Sequence, residues 1–245
     1  MNSLYLILDL ATFAVPFLLS FDKKVAYYKR WKWIFPGIAL MGLIFLSWDV
    51  VFAARGVWGF NDDYLIGVRM LGLPLEEWLF FLVVPYSCLF IYESLRAWFP
   101  AFNPLAGASR WIALVLGLTL LVLVGLHPDR IYTVVNFSLG SAILLFMAWS
   151  NPKWGGRFWL AFFIALVPFF VMNGILTGYS LPEPIVWYSA EGIMGPRMWT
   201  IPVEDTIYAF SMLWIPTAVL EFFRLRAGSR AKSEALESGQ IPLTS

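Results

Sequence analysis

Two short stretches of this 245-residue chain carry side chains able to move protons. They are Pro74-Leu75-Glu76-Glu77 and Pro202-Val203-Glu204-Asp205, each setting two carboxyls side by side just after a proline. Adjacent carboxylates repel, and neither pair has a lysine close in sequence. Two close carboxyls with one proton between them become a donor and an acceptor, because each disfavours ionisation of the other. Glu76, Glu77, Glu204 and Asp205 are therefore candidate catalytic acids and bases, with the assignment of the two roles open. Arg69 and Arg197 each precede a motif by five residues and are placed to neutralise one carboxylate apiece. A plainer role exists for the same residues: proline suits the first turn of a helix, and acids there meet the positive end of its dipole.

Other chemistries are narrowed by what the chain holds. Cys88 is the single cysteine and His127 the single histidine, so an internal disulfide, a cysteine-based zinc site and a histidine-rich metal site are all excluded. No metal is expected. No Gly-x-Gly-x-x-Gly run occurs, so no flavin site of that kind is expected and the chemistry should need no cofactor. The net charge of +1 and the lack of a basic stripe give no hint of nucleic acid.

The elements that must position these groups lie in lipid. Hydrophobic residues make up 60% of the chain and charged ones 13%, against about 45–50% and about 25% in soluble domains. A spanning helix needs roughly 20 mostly apolar residues. Seven candidates occur: Leu4–Phe21, Trp33–Ala53, Leu75–Leu95, Trp111–His127, Ile131–Trp149, Phe158–Leu176 and Val203–Phe223. The expected fold is an all-α integral membrane protein of seven transmembrane helices. With the N-terminus outside, all but Arg55, Arg69, Arg130 and Arg197 of the 17 basic residues fall in cytoplasmic segments, which predicts an outer N-terminus and a cytoplasmic C-terminus in a cell membrane. Trp31, Trp33, Trp98, Trp111, Trp149, Trp154 and Trp159 sit at span ends as interfacial anchors do. The polar stretch from Arg226 to Ser245 reads as a disordered tail.

Sliding the chain by 128 residues lays Ile66–Arg96 on Met194–Arg224 without a gap. Gly67/Gly195, Arg69/Arg197, Met70/Met198, Pro74/Pro202, Glu76/Glu204, Glu93/Glu221 and Arg96/Arg224 are identical, and Glu77/Asp205 and Phe80/Tyr208 are similar. Chance alignment of two apolar helices would match Leu and Val, not Arg, Pro and acids. The expected organisation is 3+1+3: a first unit over 1–100, a linker helix over 101–130, a second unit over 131–225 and a tail over 226–245. Both motif-bearing spans enter from the same side, which makes the repeat parallel and places a site between its halves. Asp49, inside Phe45-Leu46-Ser47-Trp48-Asp49, is expected to face that site. Asp9, Asn136 and Asn173 add further polar groups in or near spans. Glu93 and Glu221 lie 17 residues beyond Glu76 and Glu204, about 25 Å at helical rise, and are expected to pair with Arg96 and Arg224 at i,i+3.

The segments LPLEEWLFFLVVPYSCLFIYE and IPVEDTIYAFSMLWIPTAVLE resemble the paired signature segments of the lycopene cyclase domain family. This is the small membrane-embedded type found as two short subunits in some actinobacteria, fused in other bacteria and archaea, and joined to phytoene synthase in fungi. With both units in one chain and only a short tail, the fused, cyclase-only form is the nearest match. The resemblance implies cyclisation of the ends of a linear, lycopene-like carotenoid dissolved in membrane lipid, with β-rings as the expected products. A proton is delivered to the terminal double bond, ring closure passes through a tertiary carbocation, and a base removes a proton. No electrons are consumed. Trp48, Trp78, Phe80, Phe81 and Tyr208 are candidate walls, because aromatic faces stabilise cations. Substrate contacts are thus expected from Asp49, Arg69, Arg197, Trp78, Phe80 and Tyr208. Ring type, the number of ends cyclised and oligomeric state stay open. Two other readings compete. A small-solute transporter of the SWEET type shares the 3+1+3 topology, but no proline here precedes a glutamine. A retinal protein would need a lysine in the last span, and Val203–Phe223 has none.

Overall fold

The structure, a computed structural model, describes residues 3–238. Among the described residues it holds seven α-helices: α1 (Leu4–Leu19), α2 (Trp31–Ala54), α3 (Leu75–Trp98), α4 (Ser109–Leu126), α5 (Ile131–Ser150), α6 (Gly155–Leu176) and α7 (Glu204–Glu237). Six of them are long and apolar enough to cross a membrane, which makes this a multi-pass membrane protein. The exception is α1, at 16 residues. At 1.5 Å per residue it reaches about 24 Å, against a hydrocarbon core of roughly 30 Å, so it is shorter than the full-length span expected there. The stretch after Arg226, expected to be disordered, instead continues α7 as far as Glu237. Its Ala, Lys, Glu and Leu residues are good helix formers. Residues 239–245 of the expected tail lie outside the described residues.

Helix packing runs crosswise along the chain. α3 packs on α1, α2, α6 and α7, while α7 packs on α2, α5 and α6. The middle helix of each three-helix stretch thus lies against the last helix of the other, α2 on α7 and α6 on α3. α4 stands apart and packs mainly on α5. Gly37 lets α2 close on α7: a Cβ there would come within 2.9 Å of the Pro216 Cα. Trp159, expected as an interfacial anchor, is only 1% exposed and stacks on Phe210 with centroids 5.2 Å apart. Its indole faces α7, not the membrane boundary.

Three two-stranded sheets stand at the ends of the helices that carry the motifs. β1 (Trp58–Phe60) pairs antiparallel with β4 (Val186–Tyr188), with Trp58 opposite Tyr188. β2 (Arg69–Met70) pairs with β3 (Leu73–Pro74), and β5 (Arg197–Met198) with β6 (Ile201–Pro202). Both hairpins set an arginine opposite the motif proline. The first turns through Leu71 (φ 53°) and Gly72 (φ 85°), the double positive-φ pattern of a tight hairpin. In the second, Thr200 stands where glycine would, and only Trp199 takes a positive φ, 57°.

At the far end of the bundle the expected i,i+3 ion pairs are half right. Arg224 does bond Glu221 on its own helix, and its Nη2 also reaches Glu93 Oε1 at 2.6 Å. Arg96, however, pairs with Glu221 at 3.2 Å on α7 and not with Glu93 on its own helix. The close packing of α3 on α7 brings the four charges into one cluster, where crossing to the other helix is the shorter reach. The Tyr92 hydroxyl also donates to Glu221 at 2.8 Å.

Candidate active site

Each motif divides its two acids between two jobs. Glu76 is fully buried and its Oε1 accepts from the Ile66 amide at 2.8 Å. Glu204 is fully buried too, and its Oε1 accepts from the Met194 amide at 2.6 Å and from the Thr133 hydroxyl at 2.7 Å. The Asn136 side-chain amide holds the Glu204 carbonyl at 2.7 Å. The first acid of each pair therefore pins the backbone that leads into its hairpin. The second acid turns one position round the helix and lines a chamber: Glu77 from α3 and Asp205 from α7. Asp49 from α2 joins them.

Each chamber carboxyl has its own donors. Glu77 Oε2 accepts from the Tyr5 hydroxyl at 2.8 Å. Asp49 Oδ1 accepts from the Trp58 indole at 2.6 Å, while its Oδ2 is buried with no partner among the described residues. Asp205 is the best served, taking Tyr132 at 2.7 Å on Oδ1, then Asn173 at 2.8 Å and Tyr188 at 3.0 Å on Oδ2. Tyr188 lies outside the spans on β4. Its burial, and next the Asp205 charge, push its phenol well above the ordinary range, so it stays a donor. Tyr5 opens α1 and Tyr132 opens α5, so the two motifs receive matching tyrosine donors.

The rest of the wall is aromatic and apolar. Phe80, Tyr208, Phe60 and Phe169 line it along with Leu176 and Val186. Tyr208 packs edge-on to Phe45 at 4.7 Å and tilts on Trp48 at 5.8 Å. The free volume is about 40 Å³.

Several expected contacts lie elsewhere. Arg69 does not meet a motif carboxyl; it bonds Asp62 at 2.6 Å and the Gly72 carbonyl at 3.0 Å. Arg197 bonds the Thr200 carbonyl at 2.6 Å and lies 5.9 Å from the Tyr188 ring. Pairing opposite the motif proline turns both guanidinium groups back across their own hairpin turns, away from the chamber. Trp78 is half-buried and donates to the Met70 carbonyl at 3.2 Å, outside the chamber lining. Trp48 and Phe81 stand behind Tyr208. Asp9 is fully buried, with neither oxygen partnered among the described residues. Sequence reasoning passed over Tyr5, Tyr132, Tyr188 and Trp58. The two helix-opening tyrosines are hidden by a one-residue slip, since a shift of 128 lays Tyr5 on Thr133 and not on Tyr132. Trp58 and Tyr188 arrive on loops joined only by the pairing of β1 with β4.

Taken together, these features define a class: a helical, multi-pass membrane protein with three carboxyls gathered in a buried aromatic chamber. The sequence model of the lycopene cyclase family matches residues 2–95 and again 129–223, most of the chain in two stretches. The chain belongs to the lycopene cyclase family. It is also similar to a protein of Podospora anserina named bifunctional lycopene cyclase/phytoene synthase, with 27% identity over 173 residues. That match covers 67% of this chain but only 28% of the fungal protein. No solved structure matches it. Family membership points to cyclase activity on a carotenoid and lends no support to a SWEET-like transporter.

Proposed function

We propose that the chain is a lycopene cyclase that closes β-rings by acid–base chemistry in the chamber between its two three-helix halves. The observation that carries this reading is the meeting of Asp49, Glu77 and Asp205, from three helices and both halves, inside one aromatic wall. The reaction needs three events. A proton goes to the terminal double bond of the linear carotenoid, leaving a tertiary cation. The neighbouring double bond attacks that cation and forms the ring carbon–carbon bond. A base then removes a proton to set the ring double bond, so the product is an isomer of the substrate and no oxidant or reductant enters.

Donor count divides the roles. Three donors satisfy both oxygens of Asp205, an arrangement suited to a carboxylate that waits to take a proton. Among the described residues Asp49 keeps one buried oxygen without a donor, and Glu77 has a single tyrosine. A proton held between these two is the one delivered. Glu76 and Glu204 act at one remove, by fixing the hairpins that begin α3 and α7. The faces of Phe80, Tyr208 and Trp58 would steady the cation. We place the chamber end of the bundle outside and the C-terminus in the cytoplasm, on the distribution of basic residues.

The test is pigment analysis of cells that accumulate lycopene and express Asp49→Asn, Glu77→Gln or Asp205→Asn, beside Arg69→Ala as a control. Cyclic carotenoid should vanish or fall steeply with the three chamber variants and persist with the control. Undiminished cyclic product from all three would overturn the assignment.

A further inference from the structure

Below the chamber, a second cavity of about 260 Å³ lies between α1, α3 and α6. Phe169 belongs to both linings, so its ring is a wall common to the two spaces. The floor is buried and apolar, built from Val84, Cys88 and Met172 with Phe169. The rim is different: Ala11, Val15 and Pro168 are exposed, on helices whose outer faces meet hydrocarbon. Along α3 the groove runs from Val84 to Ile91, 7 residues or about 10 Å at helical rise.

The groove is kept open by backbone chemistry. Pro16 cannot donate to the Thr12 carbonyl one turn earlier, which leaves that oxygen without its helical partner. The Ser87 hydroxyl of α3 takes up the bond at 2.9 Å. This polar tie holds α1 to α3 at one wall while an apolar slot remains beside it. The corresponding seam between α2 and α7 has no such room, because Gly37 brings the two backbones together at Pro216. The 128-residue shift lays Gly37 on Ala165 and Cys88 on Pro216, so the glycine–proline contact that closes α2 on α7 has alanine and cysteine at the matching positions of α6 and α3.

We infer that this groove is the subsite for the polyene chain of the substrate: the linear carotenoid slides in from the bilayer between α1, α3 and α6, and its end passes Phe169 to reach the carboxyls. The inference rests on the cyclase reading above and adds to it a binding site, its ligand and a side of access. A long, apolar chain fits a slot with no charged lining that opens to lipid and shares the Phe169 wall with the chamber.

Ala11→Phe tests it. Ala11 is on the exposed rim, so a larger side chain there narrows the groove without overpacking the core. Leu121→Phe on the peripheral α4, 47% exposed, is the control for added bulk at a lipid-facing site. Full-length proteins in vesicles are given either lycopene or a shorter acyclic isoprenoid hydrocarbon with the same terminal units, too short to fill the groove. Ala11→Phe should lower lycopene cyclisation about tenfold or more, the scale on which apolar pockets discriminate, while the short substrate is turned over as by wild type. Leu121→Phe should match wild type on both, and size-exclusion profiles confirm folding of each. Wild-type rates on lycopene by a folded Ala11→Phe protein would overturn the subsite and mark the groove as a place for lipid acyl chains. Loss of both substrates by a folded Ala11→Phe protein would overturn it too, since the effect would not lie in chain accommodation. Failure of the wild type itself to cyclise lycopene would instead sink the cyclase reading, and the subsite with it.

Discussion

Replacing Asp205 by Asn is the sharpest probe of the chamber, because it changes charge while keeping shape. In the native site both carboxylate oxygens accept, from Tyr132 on one side and from Asn173 and Tyr188 on the other. The asparagine oxygen can keep one side. With the oxygen toward Asn173 and Tyr188 the amide faces the Tyr132 hydroxyl, which can turn to accept; with the oxygen toward Tyr132 the amide meets the Asn173 donor. One mismatched buried polar contact costs about 1–3 kcal/mol, within the stability of most folded proteins. The chemical cost is larger, since a positioned general base contributes about 10²–10⁴ in rate. At 1.36 kcal/mol per tenfold that is about 3–5 kcal/mol of barrier. The assay is single-turnover cyclisation of lycopene in vesicles, read by chromatography, with folding checked by size exclusion. The expected result is a well-folded protein whose rate falls by about a hundredfold or more. Glu204→Gln should give the opposite pattern: poorer recovery, because its amide puts a buried donor in place of Oε2, which has no partner among the described residues, with folded molecules retaining most of their rate. A folded Asp205→Asn protein cyclising within about threefold of wild type would refute the idea of a positioned base at this carboxylate.

Other expectations follow from single contacts. Tyr5→Phe removes the hydroxyl that serves Glu77, and a hydrogen bond contributes about 0.5–1.5 kcal/mol net, so both thermal stability and turnover should drop. Gly59→Ala sets a Cβ about where the Trp187 ring lies, 2.3 Å away, and should displace β4 with loss of activity; adding Trp187→Ala should restore much of it. Arg224→Met leaves Glu93 and Glu221 buried with fewer counter-charges and should cost about 3–5 kcal/mol, seen as a lowered melting temperature; Arg96→Met, at the half-exposed arginine, should cost less. Arg69→Ala and Arg197→Ala should each leave cyclisation within about tenfold of wild type, because neither guanidinium touches a chamber carboxyl and exposed pairs contribute little.

Much of this arrangement could be read from the chain alone. Apolar runs located all the helices, since lipid leaves a helix little alternative for its backbone groups. The doubled Pro-x-Glu-Glu/Asp motifs pointed to the acids, and the lone charge of Asp49 in an apolar run pointed to a third. What escaped reading depended on geometry that no spacing encodes. Glu76 and Glu77 are neighbours in sequence, but the helical turn of about 100° between them sends one to the hairpin and the other to the chamber. Arg69 looked like a counter-ion by distance along the chain, yet strand pairing with Pro74 aims it across its own turn. Trp58 and Tyr188 are 130 residues apart and meet only because two loops pair as strands.

The crosswise seating of α2 on α7 and of α6 on α3 has a bearing on how such a protein could be assembled. Neither set of three helices can satisfy its own buried faces, so each is an obligate complement of the other. Tethering by α4, which leans on α5 at the periphery, supplies proximity and little else. A break in the backbone within residues 99–108 should therefore yield two polypeptides that find each other in the bilayer and rebuild the same pocket, whereas either fragment alone would leave an unfinished surface facing lipid.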